Sequence, residues 1–217
     1  MTNCYIYLHG FASSPRSAKA QDLANRFKAI DLPLVIPDFN LPDFFELTLS
    51  RQIEQARALF PALPQPVTLI GSSFGGLTAA WLAQQPQVQR LVLLAPAFGF
   101  LSHWLPRLGA DAVQEWRSTG KRMVYHYGEQ QPLPLSYRFV EDASQYDEAR
   151  LQRSIPTLIL HGRHDDVIPI QASREFAIDR PWVTLVELDS DHALTDAMPQ
   201  IWQEISAFCR FDRGATQ

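Results

Sequence analysis

Between Val67 and Leu82 the chain runs from the aliphatic stretch Val67-Thr68-Leu69-Ile70 straight into Gly71-Ser72-Ser73-Phe74-Gly75-Gly76, and then into residues with helical spacing. A strand that turns directly into a helix pushes the middle residue of the turn above the sheet in a strained backbone conformation, which only small neighbours allow. Gly71 and Gly75 flank Ser73 at minus two and plus two, and Gly76 adds a third position without a β-carbon. The spacing is GxSxG, and it makes Ser73 a candidate nucleophile. A plain Gly-rich turn is the simpler alternative. The flanks favour the elbow: the residues before it are β-branched and aliphatic, while Leu77, Ala80, Trp81 and Ala83 after it repeat at helical spacing before Pro86.

The same reading along the chain gives an alternation. Strands are expected at 4–8, 34–36, 67–71, 91–95, 156–161 and 182–187, with helices at 15–29, 44–60, 74–85, 170–178 and 197–209. Strands and helices that take turns predict an α/β fold, a mostly parallel sheet with helices on both faces. In such sheets ligands sit beyond the carboxyl ends of the strands. The loops there are 9–14, 71–75, 96–98, 162–169 and 189–194, and they hold most of the reactive side chains.

Residues 99–154 break the alternation and carry Trp104, Trp116, Tyr125, Tyr127, Tyr137, Phe139 and Tyr146 among charged residues. They read as an insertion after the fourth predicted strand, within a single domain over 1–217, placed to overhang the site as a cap. Packing at the sheet edge is the alternative. Met123–Tyr127 and Leu135–Val140, separated by Gly128, Pro132 and Pro134, are expected to pair as a hairpin. Trp104 and Trp116 are the candidates for substrate contact, with ordinary packing as the competing role.

A serine hydroxyl is a poor nucleophile at neutral pH, so Ser73 needs a general base, and the base needs an orienting acid. Of the six histidines, His192 in Ser190-Asp191-His192-Ala193-Leu194 follows the last predicted strand, on the side of the sheet that carries Ser73. The acid comes from Gly162-Arg163-His164-Asp165-Asp166-Val167-Ile168-Pro169, where Asp165 and Asp166 compete. One faces the site; the other caps the next helix or meets solvent. The developing oxyanion of an acyl transfer calls for two backbone N–H donors. Phe74 N–H follows the nucleophile, and Phe11 N–H follows His9-Gly10 in the first loop. Ser14 and Pro15 read as a helix cap and first helical residue.

With these loops in hand, the chain resembles the α/β-hydrolase superfamily over nearly its full length. Tyr7-Leu8-His9-Gly10-Phe11-Ala12-Ser13-Ser14-Pro15 and the elbow are similar to the small bacterial YqiA-type esterase family. The resemblance implies an α/β-hydrolase fold and selects Asp165 as the acid, three residues after Gly162 and three before Ile168-Pro169. It also implies His192 as base and the Phe11 and Phe74 amides as oxyanion donors. The expected activity is that of a serine hydrolase cleaving carboxylic esters through an acyl-enzyme. An acyl thioesterase and a non-catalytic protein binding a small ligand or partner are the other readings. The aromatic insertion departs from the compact family pattern.

Composition narrows the partners. The 217 residues carry 19 Lys+Arg against 23 Asp+Glu, a net charge of −4, which offers no footprint for nucleic acid or anionic lipid. Met1-Thr2-Asn3-Cys4 shows no basic leader, and the longest apolar run, Leu91 to Leu101, falls short of a membrane span of about 20 residues. A cytoplasmic protein with a small-molecule ester or thioester substrate is expected, with no nucleic acid and no membrane. Cys4 and Cys209 read as reduced thiols without a role. His161, His164, Asp165 and Asp166 are dense enough to suggest a metal, but neighbours in one tight loop seldom aim at one point, so no metal is expected. Without a Walker loop or a GxGxxG, no phosphate cofactor is expected either.

Overall fold

The computed structural model describes residues 3–211; Met1 and Thr2, part of the stretch read above for a leader, lie outside them. Its strands are β1 (Cys4–Leu8), β2 (Leu34–Val35), β3 (Val67–Ser72), β4 (Val88–Leu94), β5 (Lys121–His126), β6 (Gln131–Ser136), β7 (Thr157–Gly162) and β8 (Val183–Leu188). Six of them form one parallel sheet in the order β2-β1-β3-β4-β7-β8, and β5 and β6 form an antiparallel pair apart from it. The helices are α1 (Ala18–Ala29), α2 (Leu49–Arg57), α3 (Phe74–Leu82), α4 (Phe100–Leu108), α5 (Ala110–Thr119), α6 (Arg138–Ala143), α7 (Ile170–Ile178) and α8 (Met198–Cys209).

The central strands are apolar on both faces because helices cover both. Alternate residues of β1 go to opposite layers. Tyr5 and Tyr7 pack with Leu23 and Phe27 of α1 and Ile201 and Ile205 of α8, whereas Ile6 and Leu8 pack with Leu49 and Ala56 of α2 and Leu77 and Ala80 of α3. Full burial of a side chain such as Phe27 or Ile201 contributes about 1.5–3 kcal/mol. Two such layers hold the sheet rigid, and the loops at its carboxyl end inherit that rigidity.

Three local expectations are corrected. Helix α1 begins at Ala18, because the Ser14 hydroxyl accepts from Arg16 N (3.2 Å) in a tight turn one step ahead of it. The expected helix over 44–60 divides into a 3-10 turn, Phe44–Glu46, and α2, since Thr48 interrupts with a fresh cap: its Oγ1 accepts from Arg51 N at 3.1 Å. The hairpin exists, but its second arm is Gln131–Ser136, so Pro132 and Pro134 lie in the strand and Arg138–Val140 in α6. The two prolines share parity. Both missing N–H groups therefore fall on the side away from β5, where no ladder bond is lost.

The insertion packs onto the sheet's loops through aromatic rings. Phe11 and Phe74 contact Phe100 and Trp104 of α4 and Phe139 of α6, with ring centroids 5.1–5.9 Å apart for Phe11–Trp104, Phe11–Phe139, Phe74–Phe100, Phe74–Phe139 and Phe11–Phe100. The Tyr127 amide donates to Ala12 O at 2.8 Å, tying the end of β5 to the first loop. Among the described residues no helix is long and apolar enough to cross a membrane.

Candidate active site

Ser73 stands between β3 and α3 at φ 53° and ψ −119°, a conformation that costs a non-glycine residue about 1–3 kcal/mol. The surroundings hold it there. Its amide donates to Leu94 O at 2.9 Å, and its carbonyl accepts from Gly76, Leu77 and Ala97 amides at 2.8, 3.1 and 3.0 Å. A β-carbon at Gly71 would collide with the backbone of Gly75 and Gly76, and one at Gly75 would strike the Leu8 and His9 carbonyls. Small neighbours are thus a packing requirement.

His192, beyond β8, reaches both ways. Its Nε2 lies 3.1 Å from Ser73 Oγ and its Nδ1 2.7 Å from Asp165 Oδ2. A carboxylate only accepts, so Nδ1 carries the proton and Nε2 is free to take the serine's. The loop is fixed by Asp191, whose Oδ1 accepts from the Ala193 and Leu194 amides at 2.8 and 3.2 Å.

Asp165 is buried and accepts four hydrogen bonds. The Val167 and Ile168 amides, both at 2.8 Å, reach Oδ1; His192 and His161 reach Oδ2, the latter at 3.0 Å through Nε2. Burial alone would raise this carboxyl, but the bonds from His161, His192 and Ile168 outweigh it and hold it well below the usual carboxylate range. Asp166 is exposed, and His164 turns away to Asp189 Oδ1 at 2.8 Å.

His161, read from the sequence only as part of a dense polar cluster, is a site residue whose place the sequence did not give. It is fully buried, with Nε2 also 3.0 Å from Ile168 O and Nδ1 2.7 Å from Ser173 Oγ. Since a carbonyl only accepts, Nε2–H is the donor to Asp165 and Ile168, and the Ser173 hydroxyl donates to Nδ1. The available signal was a polar side chain ending an otherwise apolar strand, which must find partners when buried.

In the first loop, His9 accepts from Phe39 N through Nε2 (3.1 Å), leaving Nδ1–H to donate to Gly10 O at 2.9 Å. That clamps the turn preceding Phe11. Neither the Phe11 nor the Phe74 amide has a hydrogen-bond acceptor among the described residues.

Ser73 and His192 open onto a cavity of about 590 Å³, walled by Phe11, by Phe100 and Trp104 of α4, and by Val124 and Tyr125 of β5. Trp116 does not line it: it lies behind Trp104 at a centroid distance of 5.5 Å, buried, with Nε1 donating to Leu135 O at 3.0 Å. Lys19 and Arg122 do line it, and the sequence had not singled out either.

A parallel sheet of this order, a strained serine between the third strand and its helix, and a histidine loop after the last strand define the α/β-hydrolase fold. Solved structures with that fold align along the chain. The Alpha/beta hydrolase domain-containing protein 10 from mouse superposes with a TM-score of 0.77 at 21% identity, covering 95% of this chain and 89% of that one. The monoacylglycerol lipase of Paleococcus ferrophilus gives 0.76 at 14% identity over 97% of each chain. Est1E from Butyrivibrio proteoclasticus, with ferulic acid bound, gives 0.67 at 18% identity over 95% and 90%. The chain belongs to the Uncharacterised protein family UPF0227, whose model matches residues 4–209.

Proposed function

We propose that the protein is a serine hydrolase of carboxylic esters, with Ser73 as nucleophile, His192 as general base and acid, and Asp165 as the group that orients and stabilises His192. The observation that carries this is one imidazole bonded at both ends, 3.1 Å from an elbow serine and 2.7 Å from a carboxylate kept ionised by four donors. Ser73 Oγ attacks the acyl carbonyl as its proton passes to His192 Nε2. The oxygen that becomes negative meets the Phe11 and Phe74 N–H groups, which have no other acceptor among the described residues and so suit that role. Collapse breaks the bond to the leaving alcohol, which takes the proton from Nε2. Water then gives a proton to the same nitrogen, attacks the acyl-enzyme and releases the acid with Ser73 restored.

Residues 99–154 act as a cap within one domain, since Phe100, Trp104 and residues 122–125 of β5 line the cavity that holds Ser73. In this reading Trp104 contacts substrate and Trp116 supports Trp104 from behind. Two proteins of this fold bear the names Est1E and monoacylglycerol lipase, in keeping with ester substrates. Acyl thioesters pass through the same steps, so a panel of p-nitrophenyl esters and acyl thioesters of graded length tests both. Ser73→Ala should lower turnover by at least about a thousandfold on every active substrate. Turnover that survives the substitution, or no Ser73-dependent turnover on any chain length, would overturn the assignment and favour a ligand-binding role.

A further inference from the structure

The cavity wall carries charge of one sign. Lys19, in the first turn of α1, and Arg122, in β5, both line the cavity that Ser73 and His192 also line, while among the described residues no aspartate or glutamate does. In a chain of net charge −4 that is not a consequence of composition. Neither cation is in an ion pair among the described residues, although five arginines elsewhere in the chain are: Arg16, Arg26, Arg138, Arg163 and Arg174.

Among the described residues Lys19 Nζ makes one long contact, 3.5 Å to His192 O, which leaves two of its three donors without a partner there. Its nearest carboxylates act only through space. Asp165 already accepts four hydrogen bonds, and Asp191 Oδ1 is taken by the Ala193 and Leu194 amides. Burial draws the ammonium down to about 8 against the pull of Asp165 and Asp191, as expected of a desolvated cation with incomplete partners. Lys19 is part-buried and lines the cavity, where a ligand can supply the missing acceptors. Ser13, Ser17, Tyr125 and Tyr127 line the same cavity and add hydroxyl-bearing side chains to its lining.

We propose that the cavity takes an ester or thioester that itself carries a negative charge, a carboxylate or a phosphate, held by Lys19 with Arg122 reaching from the insertion. This rests on the serine-hydrolase reading and names its substrate class. The competing role for Lys19, a remote counter-ion for Asp165, has a different consequence: its loss would then affect neutral and anionic substrates alike.

The test compares three matched esters: mono-p-nitrophenyl suberate, its neutral methyl ester, and p-nitrophenyl octanoate ending in a phosphate. Wild type should prefer at least one anionic ester over the neutral one by about tenfold in kcat/KM, as a charge-assisted contact implies. Whether the carboxylate or the phosphate gains more identifies the source of the anion. Lys19→Met should bring the ratio near one, chiefly through KM, Lys19→Arg should restore part of it, and Arg122→Gln should lower it without touching α1. Calorimetric Kd values of the same esters with Ser73→Ala should show the same ratio, and they remain readable if turnover is absent. Equal Kd values for charged and neutral esters, or a wild-type kcat/KM ratio at or below one for both anions, would overturn the proposal. A tenfold Kd ratio in a protein that hydrolyses none of the three would count against the hydrolase reading and leave the anion site standing.

Discussion

Asp165 divides its carboxylate between two tasks. Oδ1 is spent on the backbone of its own loop, through Val167 and Ile168, while Oδ2 is shared by two imidazoles of which only His192 reaches Ser73. In the proposed mechanism His161 is a positioning residue: locked by Ser173 and Ile168, it fixes the direction in which Oδ2 presents itself to His192. Replacing it by His161→Gln should lower kcat by ten- to a hundredfold with KM little changed, as a small misplacement of a reacting group does. Steady-state kinetics with thermal melts check this; a loss of stability with kcat intact would make His161 purely structural. The meeting of Ser73, Asp165 and His192 was legible because all three follow strand ends on one side of the sheet. His161 was not, because its meaning depends on Ser173 on a helix and on one carbonyl, Ile168, that only the folded loop brings near. Lys19 and Arg122 were hidden for the same reason, since only the docked insertion brings both to one cavity.

The insertion shows how position within one element separates function from packing. Trp104 borders the cavity and Trp116 the core behind it, edge to face. Trp116→Ala should cost about 3–5 kcal/mol of stability, the usual range for a buried tryptophan, with little change in chain-length preference. Trp104→Ala should instead shift that preference toward bulkier acyl groups at a smaller cost in stability. Denaturant titration and the ester panel read both, and the reverse pattern would contradict the assignment. At the far end of the insertion, Glu148 accepts from Gly99 N at 2.9 Å and so ties the 3-10 turn Glu148–Arg150 to the start of α4. Burial, with help from Asp147, pushes its carboxyl up to about 7 despite that bond. The folded protein thus binds this proton more tightly than the unfolded chain. Its contribution to stability is full below the ordinary carboxyl range and is lost as pH rises through about 7. Glu148→Gln keeps an acceptor for Gly99 and should raise Tm at pH 8 relative to wild type, with little effect at pH 5. A lower Tm at pH 8 would show that the carboxylate is favoured in the fold. Aromatic content marked this region as an insertion, but its hairpin register was illegible, because prolines read as loop residues until edge parity lets them join a strand.

Across the molecule, two packed faces turn a list of separate loops into one site. Residues 73, 165 and 192 meet only because β3, β7 and β8 end on the same side of one parallel sheet, which the two helix layers hold in register. That order was readable from apolar runs alternating with helical spacing, since strands buried on both faces must be continuously apolar. The sheet's neighbours are less readable: β2 is two residues long, and its pairing with β1 through Tyr5–Leu34 and Ile6–Val35 depends on tertiary contact more than on propensity. In the proposed mechanism this architecture activates one serine. Intact-mass spectrometry after treatment with a fluorophosphonate, followed by peptide mapping, tests it most directly. An activated Ser73 takes up a single adduct that is absent from Ser73→Ala; no adduct on the folded protein, or one carried by another residue, would contradict the proposed nucleophile.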